Sequence, residues 1–354
     1  MTDILHDYFL PAEWHEQSGV MLTWPHAGTD WRPYLDDITR TYIEMTKAIA
    51  LHERVLIATP EPHRVEQLLH HELGDDLIRN VAIYQVDSDD TWARDHGPIT
   101  LLPTGDASTD KHPLMIDFRF NGWGEKFGAS HDNAINHSLA SLGAFTCPLA
   151  DNDDFVLEGG SIESDGKGTV FTTSQCLLAP HRNQPLSQQG IEERLKSSLH
   201  ASRIVWLDHG NLIGDDTDGH IDTIVRTAPN DTILYVAPDS NDKEQYADFV
   251  LLEQQLMQLR TADGKPYRLL PLPMPEPVYC DGERLPATYA NFLIINGAVL
   301  CPTYDQARHD DAALATIAEA FPGRKVIGID ARTIIKQHGS IHCLTMQLPA
   351  GCMK

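Results

Sequence analysis

Long apolar runs and basic residues are both scarce in this sequence. No stretch approaches the roughly 18 to 20 uninterrupted apolar residues of a membrane span. The N-terminal residues do not join a basic region to an apolar run, so no secretory signal is predicted. Lys and Arg number 27 against 51 Asp and Glu, for a formal net charge of -24. Such a surface repels nucleic acid and anionic membranes, which we exclude as partners.

The acidic balance favours encounter with small cations. It also keeps a protein soluble, so charge alone does not name a substrate. The sequence leaves open whether the chain forms a homo-oligomer.

Paired cysteines are absent as well. The six cysteines are scattered and form no C-x-x-C pair, so neither a zinc ribbon nor a dithiol redox site is predicted. Reduced thiols in a cytoplasmic protein are the simplest interpretation. We predict no metal and no organic cofactor. The cysteines are Cys147, Cys176, Cys280, Cys301, Cys343 and Cys352.

Short β-branched runs alternate with amphipathic stretches, which predicts an α/β fold. No Ser/Gly-rich linker divides the chain, so residues 1–354 are interpreted as one catalytic domain. Segments of roughly 40 to 65 residues repeat a strand, a helix and a second strand that ends near polar residues. An ordinary doubly wound sheet has the same alternation, and periodicity alone favours that sheet over a ring. The repeating segments are 55–98, 114–158, 169–222, 233–294 and 298–343.

Cys343 is the best candidate for a nucleophile. The polar turn Gly339-Ser340-Ile341-His342 comes directly before it, which a buried core strand would not need. A reactive thiolate needs partial exposure and a nearby base or positive charge. His342 is a poor base for Cys343, because adjacent residues of a strand face opposite sides.

His220 and Asp222 belong to the densest polar cluster, 214–226. Two positions apart in an extended segment, they would point to the same side and pair an acid/base group with an anion. A metal site and a solvated acidic turn are the alternatives. The metal site lacks an H-E-x-x-H companion, and an EF-hand lacks its ligand spacing and final Glu.

Two further segments supply carboxylates. Asp95 lies close to Trp92, and a carboxylate beside an aromatic ring suits a planar cation. An internal Arg94–Asp95 ion pair is the alternative. Glu158 precedes two glycines, a place where the backbone needs room. Carboxylates near a thiol suppress its ionisation unless a substrate cation neutralises them, which favours a guanidinium ligand over protease chemistry.

The ordered segments resemble the family of agmatine and bacterial peptidyl-arginine deiminases. The likeness covers nearly the whole chain, and it implies the pentein fold, with five ββαβ units in a pseudo-fivefold β/α propeller. The segments that carry it are Trp24-Pro25, Asn121-Gly122-Trp123-Gly124, 92–98, 157–160, 217–222, 289–299 and 339–343.

The resemblance implies a role for each matching residue. Cys343 matches the nucleophile, His220 the general acid/base, and Glu158 an acidic residue that binds and orients substrate. Asp95 and Asp222 match carboxylates that grip the guanidinium. Three more residues of the matching segments are predicted to contact substrate: Trp92, Asp218 and Asn291.

The implied reaction is hydrolysis of agmatine to N-carbamoylputrescine and ammonia through a covalent thiouronium, as part of polyamine biosynthesis from arginine. Free or peptidyl arginine is an alternative substrate, and a non-catalytic binding role is a third reading. The chain departs from the family pattern at Asn121-Gly122-Trp123-Gly124-Glu125-Lys126 and at Gln337-His338-Gly339. Both departures lie near the predicted site and concern recognition of the substrate's distal end.

Overall fold

A computed structural model describes residues 7–105 and 111–353. The strands are short, and most are buried on both faces, as is typical of strands covered by helices. In chain order they are β1 (Tyr8–Phe9), β2 (Gln17–Thr23), β3 (Arg54–Thr59), β4 (Val81–Gln85), β5 (Ile99–Pro103), β6 (Leu114–Arg119), β7 (Leu149–Val156), β8 (Ile162–Ser164), β9 (Thr169–Thr173), β10 (Arg203–Leu207), β11 (Val225–Ala228), β12 (Thr232–Val236), β13 (Arg268–Leu272), β14 (Tyr279–Cys280), β15 (Glu283–Arg284), β16 (Leu293–Ile295), β17 (Ala298–Thr303), β18 (Lys325–Asp330) and β19 (Thr345–Pro349).

The longer helices cover these strands with an apolar face. In the first helix, Ile38, Tyr42, Met45 and Ile49 recur every three or four residues and are all buried. The helices are α1 (Leu35–Ala50), α2 (Pro62–Leu77), α3 (Ala93–His96), α4 (Gly122–Glu125), α5 (Ile135–Ser141), α6 (Ser174–Leu177), α7 (Gln188–Leu199), α8 (Tyr246–Gln258) and α9 (Ala307–Ala320). Among the described residues, no helix has both the length and the apolar character needed to cross a bilayer.

Five small sheets repeat one pairing pattern. In each, the first strand pairs antiparallel with the second, and the second pairs parallel with a third strand that follows a helix. The helix supplies the long crossover that a parallel pair requires. The single doubly wound sheet is therefore wrong for the described chain. The five sheets are built on β19-β2-β3, β5-β6-β7, β8-β9-β10, β11-β12-β13 and β16-β17-β18.

The first sheet differs from the sequence pattern, which begins a unit at Val55. Here β2 pairs with β3 across α1, and the antiparallel partner of β2 is β19, from the far end of the chain. The pattern missed this unit because its first strand follows all the others in sequence. The helix of segment 114–158 that precedes β7 is the short α5.

The loops that lead into the first strand of each sheet all carry predicted site residues. A strand has one entry point, so five sheets with the same pairing present five equivalent loops. The residues are Asp95 before β5, Glu158 before β8, His220 and Asp222 before β11, Asn291 before β16, and Cys343 before β19.

Candidate active site

Cys343 is buried and held by two neighbouring loops. The side-chain amide of Asn291 places Nδ2 3.2 Å from Sγ of Cys343, and its Oδ1 accepts the backbone N–H of Cys343 at 3.2 Å. Oδ2 of Asp222 lies 3.7 Å from the same Sγ. Burial, together with the charges of Asp222 and Asp95, raises the pKa of Cys343 well above its ordinary value. The thiol is therefore protonated at neutral pH, and an entering cation would favour the thiolate.

Trp92 packs on the turn before the thiol. A Cβ added at Gly339 would lie 2.0 Å from the Trp92 ring, so only glycine fits there. The indole N–H donates to Oδ2 of Asp90 at 3.1 Å, and the ring lies against Trp31 with centroids 5.7 Å apart. The absence of a side chain at Gly339 thus lets the Trp92 ring pack directly against the backbone before Cys343.

Asp95 is fixed by donors from two other loops. Nε1 of Trp123 donates to Oδ2 at 3.0 Å, and the backbone N–H of Gly160 donates to Oδ1 at 3.1 Å. Burial raises the pKa of Asp95 to about 6, although the charge of His220 lowers it. The predicted alternative of an Arg94–Asp95 ion pair is wrong, because the Arg94 guanidinium binds Glu13 at 3.0 Å instead.

His220 is fully buried, with Nδ1 3.6 Å from Oδ1 of Asp95. Neither ring nitrogen makes a hydrogen bond to an oxygen or nitrogen atom of the described chain, and Sγ of Cys176 lies within 4.8 Å of the ring. Burial lowers the pKa of His220, but Asp95, Cys176 and Glu158 raise it well above its ordinary value overall. The ring can therefore carry a proton that it could deliver to a leaving group.

Gly160 is the point at which three predicted residues converge. A Cβ added there would lie 2.6 Å from Nδ1 of His220, 2.9 Å from Oδ1 of Asp95 and 3.1 Å from Oδ2 of Asp222. His220 comes directly before a 3-10 turn over Ile221–Thr223, which contains Asp222, so the extended segment assumed from the sequence does not continue through Asp222. The turn nevertheless brings both residues beside Gly160, and Asp222 links them to Cys343.

Glu158 is bound by a residue that the sequence analysis missed. Nε of the buried Arg182 donates to the two carboxylate oxygens of Glu158 at 3.0 and 3.3 Å. The same guanidinium donates to Oδ2 of Asp218 at 2.7 Å, and Lys126 contacts Oδ1 of Asp218 at 2.8 Å. Both oxygens of Asp218 therefore already face a cation, and Asp218 holds Arg182 in place.

A cavity of about 200 Å³ opens above the thiol. Cys343, Asp95 and Trp92 line it. The other predicted residues are not among the lining: Asp218 is partly exposed, and the fully buried ones are Glu158, His220, Asp222 and Asn291. Some of the other lining residues come from the motifs named above, at 121–124, 214–226 and 337–343. Asp30, Asp90 and Phe127 lie outside those motifs. The full lining is Asp30, Asp90, Trp92, Asp95, Trp123, Phe127, Asp216, Thr217, Gln337, His338, Gly339 and Cys343.

Two clusters hold three metal-ligand side chains with atoms within 4.8 Å of one another. In each cluster a buried guanidinium already binds the carboxylates: Arg182 in the first, and Arg226 in the second. The chain itself thus supplies the positive charge that a metal ion would bring. The clusters are Glu158, Cys176 and His220, and Glu13, Glu163 and His342.

Known proteins match this chain over almost its full length. A relative from Vibrio parahaemolyticus, named "Putative agmatine deiminase", is 34% identical over 367 residues, which cover 97% of each protein. A crystal structure named "Putative Arginine Deiminase", from Porphyromonas gingivalis, is 49% identical, with a TM-score of 0.90, and covers 98% of this chain and 99% of that chain.

A structure of a cysteine-to-serine variant of agmatine deiminase from C. jejuni, with substrate bound, is 35% identical and has a TM-score of 0.87. It covers 97% of this chain and 96% of that chain. The model of one family, the Porphyromonas-type peptidyl-arginine deiminases, matches residues 9–349. This chain belongs to the family of Porphyromonas-type peptidyl-arginine deiminases.

Proposed function

We propose that this chain is an agmatine deiminase, a hydrolase of the C–N bond in a linear amidine, which converts agmatine and water to N-carbamoylputrescine and ammonia. The observation that carries the proposal is the buried thiol of Cys343, 3.7 Å from Asp222 at the floor of an acidic cavity. Carboxylates that raise the pKa of a nucleophile make chemical sense only if the substrate is a cation. A guanidinium is planar and donates hydrogen bonds to two carboxylates at once.

The rim of the cavity supports agmatine over free arginine. Asp30, Asp90 and Asp216 line it, and of the described lining residues none is Lys or Arg. These carboxylates would attract the distal ammonium of agmatine and repel the α-carboxylate of free arginine. Peptidyl arginine lacks that carboxylate, so it stays as the second candidate substrate, and the name of the family favours testing it.

In the proposed first step, Asp95 and Asp222 bind the guanidinium nitrogens, and the cation favours ionised Cys343. The thiol proton passes to solvent, the Sγ thiolate attacks the guanidinium carbon, and His220 gives a proton to the departing nitrogen, which leaves as ammonia. A covalent thiouronium remains on Cys343.

In the second step, His220 takes a proton from a water molecule that attacks the same carbon. The C–S bond breaks as the new hydroxyl group gives its proton to the departing sulfur, which restores the thiol of Cys343, and the ureido product leaves. Glu158, fixed by Arg182, lies beside His220 and helps to orient the substrate there. The Asn291 amide contacts Sγ of Cys343 in both steps.

The remaining features of the proposal concern the whole protein. We place the five sheets around a pseudo-fivefold axis within one domain over 1–354, because their five entry loops supply one site. The described cysteines are all free, which supports a reducing, cytoplasmic location. The proposed product, N-carbamoylputrescine, implies a role in polyamine biosynthesis from arginine. The net charge of -24 supports small cations, and not nucleic acid, as partners.

A substrate panel tests the proposal. Purified protein should form a ureido product from agmatine, with much lower kcat/KM on free arginine and on a peptidyl-arginine substrate. The double variant Asp30→Asn with Asp216→Asn should raise the KM for agmatine, whereas Asp311→Asn, an exposed change of the same charge on α9, should not. Preference for a peptidyl substrate would overturn the assignment to agmatine. Inactivity on all three substrates would overturn the proposal that the chain is a deiminase.

A further inference from the structure

His342, the neighbour of the nucleophile, lies buried between two carboxylates. Its Nδ1 is 2.7 Å from Oδ2 of Asp222, and its Nε2 is 2.7 Å from Oε1 of Glu13. The ring points away from Cys343, so it is not the base of the reaction, yet it contacts the carboxylate beside Sγ. The His342 side chain is fully buried.

Glu13 can only accept hydrogen bonds in this arrangement. Its Oε1 accepts from Arg94 Nη1 at 3.0 Å as well as from His342, and its Oε2 accepts from Gln347 Nε2 at 3.0 Å and from Arg226. Four donors surround the four lone-pair positions of one carboxylate, which leaves no place for a proton. Nε2 of His342 must therefore carry a hydrogen.

The other side of the ring faces a second anion. Burial raises the pKa of Asp222, but its hydrogen bond with His342 and the charges of His220 and Arg226 lower it to below its ordinary value. An ionised Asp222 is also acceptor-only, so Nδ1 donates as well. A ring that donates from both nitrogens is an imidazolium.

We infer that His342 donates from both ring nitrogens, as an imidazolium anchored by Glu13, and positions Asp222 for the substrate. This inference rests on the proposed function. Oδ2 of Asp222 is taken by His342, whereas Oδ1 is buried and has no partner in the described chain. The anchored carboxylate thus keeps one oxygen ready for a guanidinium N–H, and the imidazolium offsets its charge beside the nucleophile.

Removing either member should loosen Asp222. In His342→Gln the ring charge is lost and no single side chain spans both carboxylates, so kcat/KM for agmatine should fall on the order of 10²-fold. In the Cys343→Ser background, which binds without turnover, the same change should weaken agmatine binding measured by calorimetry. Glu13→Gln keeps the shape but frees His342 from its anchor, and it should show a smaller loss of the same kind. His209→Gln, far from the site, should change neither quantity.

A direct measurement does not depend on activity. With ¹⁵N-histidine labelling of the wild-type protein in neutral buffer, two N–H signals should belong to one ring and disappear in His342→Gln. A single ring N–H on His342 would overturn the inference, as would unchanged agmatine affinity in the His342→Gln variant. If the wild type does not convert agmatine, the proposed function fails, and the NMR result still decides the state of His342.

Discussion

The indole N–H of Trp123 donates to Oδ2 of Asp95 over 3.0 Å. Trp123 adopts a left-handed backbone, with φ of 56°, which is rare for a bulky residue. Two contacts of the same segment offset this backbone strain: the side chain of Asn121 accepts the N–H of Gly124, and Lys126 forms an ion pair with Asp218. The turn therefore exists to bring an indole donor to one carboxylate of the cavity.

The contact between Trp123 and Asp95 predicts the acid limb of the pH profile. Asp95 must be ionised to bind a guanidinium, and burial raises its pKa to about 6. kcat/KM for agmatine should therefore rise as pH increases through about 6, because this ratio reports the groups of the free enzyme. Trp123→Phe removes a hydrogen bond that lowers this pKa, so the limb should move to higher pH. Trp206→Phe should leave it in place, and a limb that is the same in both variants would contradict the assignment.

Cys343→Ser should abolish formation of N-carbamoylputrescine while agmatine binding stays measurable by calorimetry. A hydroxyl of much higher pKa replaces the thiol, but the carboxylates that bind the cation remain. Cys280→Ser changes a thiol outside the cavity and should keep wild-type turnover. Turnover near that of the wild type in Cys343→Ser would show that Cys343 is not the nucleophile.

His220→Asn should lower kcat by about 10²- to 10⁴-fold, the usual contribution of a positioned acid/base group. Stopped assays of ammonia release measure the first step, and ureido product measures the whole cycle. His209→Asn alters a half-exposed imidazole paired with Asp248 and serves as the control. Equal rates in the two variants would place the proton transfer on another group.

Gly160→Ala should lower kcat/KM by roughly 10²-fold, because the added methyl group must push apart the three side chains that meet at this residue. Gly190→Ala offers a matched change in α7, where the nearest atoms to the new Cβ are 3.6 Å or more away. It should keep full activity and stabilise the protein by about 0.4–1 kcal/mol. Kinetics and thermal unfolding on both variants separate damage to the site from general destabilisation.

Arg182→Met should lower the free energy of unfolding by about 3–5 kcal/mol, since it leaves the buried Glu158 without its partner. Arg182→Lys retains the charge but loses the forked geometry, so the loss should be smaller. Urea unfolding measures both. Arg40→Met breaks an exposed pair with Asp37 and should cost no more than about 1 kcal/mol. A similar loss for Arg40 and Arg182 would mean that burial of the pair is not what matters.

The sequence predicted the site residues that lie in compact motifs. Asp95, Glu158, His220 and Cys343 each precede a strand, and their polar surroundings stand out locally. Their partners could not be predicted in the same way: Glu13 meets His342 across 329 positions, and it lies in an unremarkable stretch. Such residues can be paired only from the folded structure, because a hydrogen bond between distant segments produces no regular spacing in the sequence.

The pairing of β19 with β2 was hidden for a related reason. Periodicity detects a strand, a helix and a strand in succession, whereas this sheet takes its first strand from beyond all the others. The count of five units was nevertheless correct as a count of sheets with the same pairing pattern. The sequence gives no comparable indication of the guanidinium groups in the two acidic clusters.

That pairing also sets the order in which a ribosome can complete the enzyme. The backbone N–H of Gly351 donates to Oγ of Ser18 across 333 positions. During synthesis, one edge of β2 therefore has no partner strand until β19 has been made. Prematurely terminated chains would lose the reactive sulfur and the covering strand at once, leaving products that are both inert and prone to stick to other strand edges.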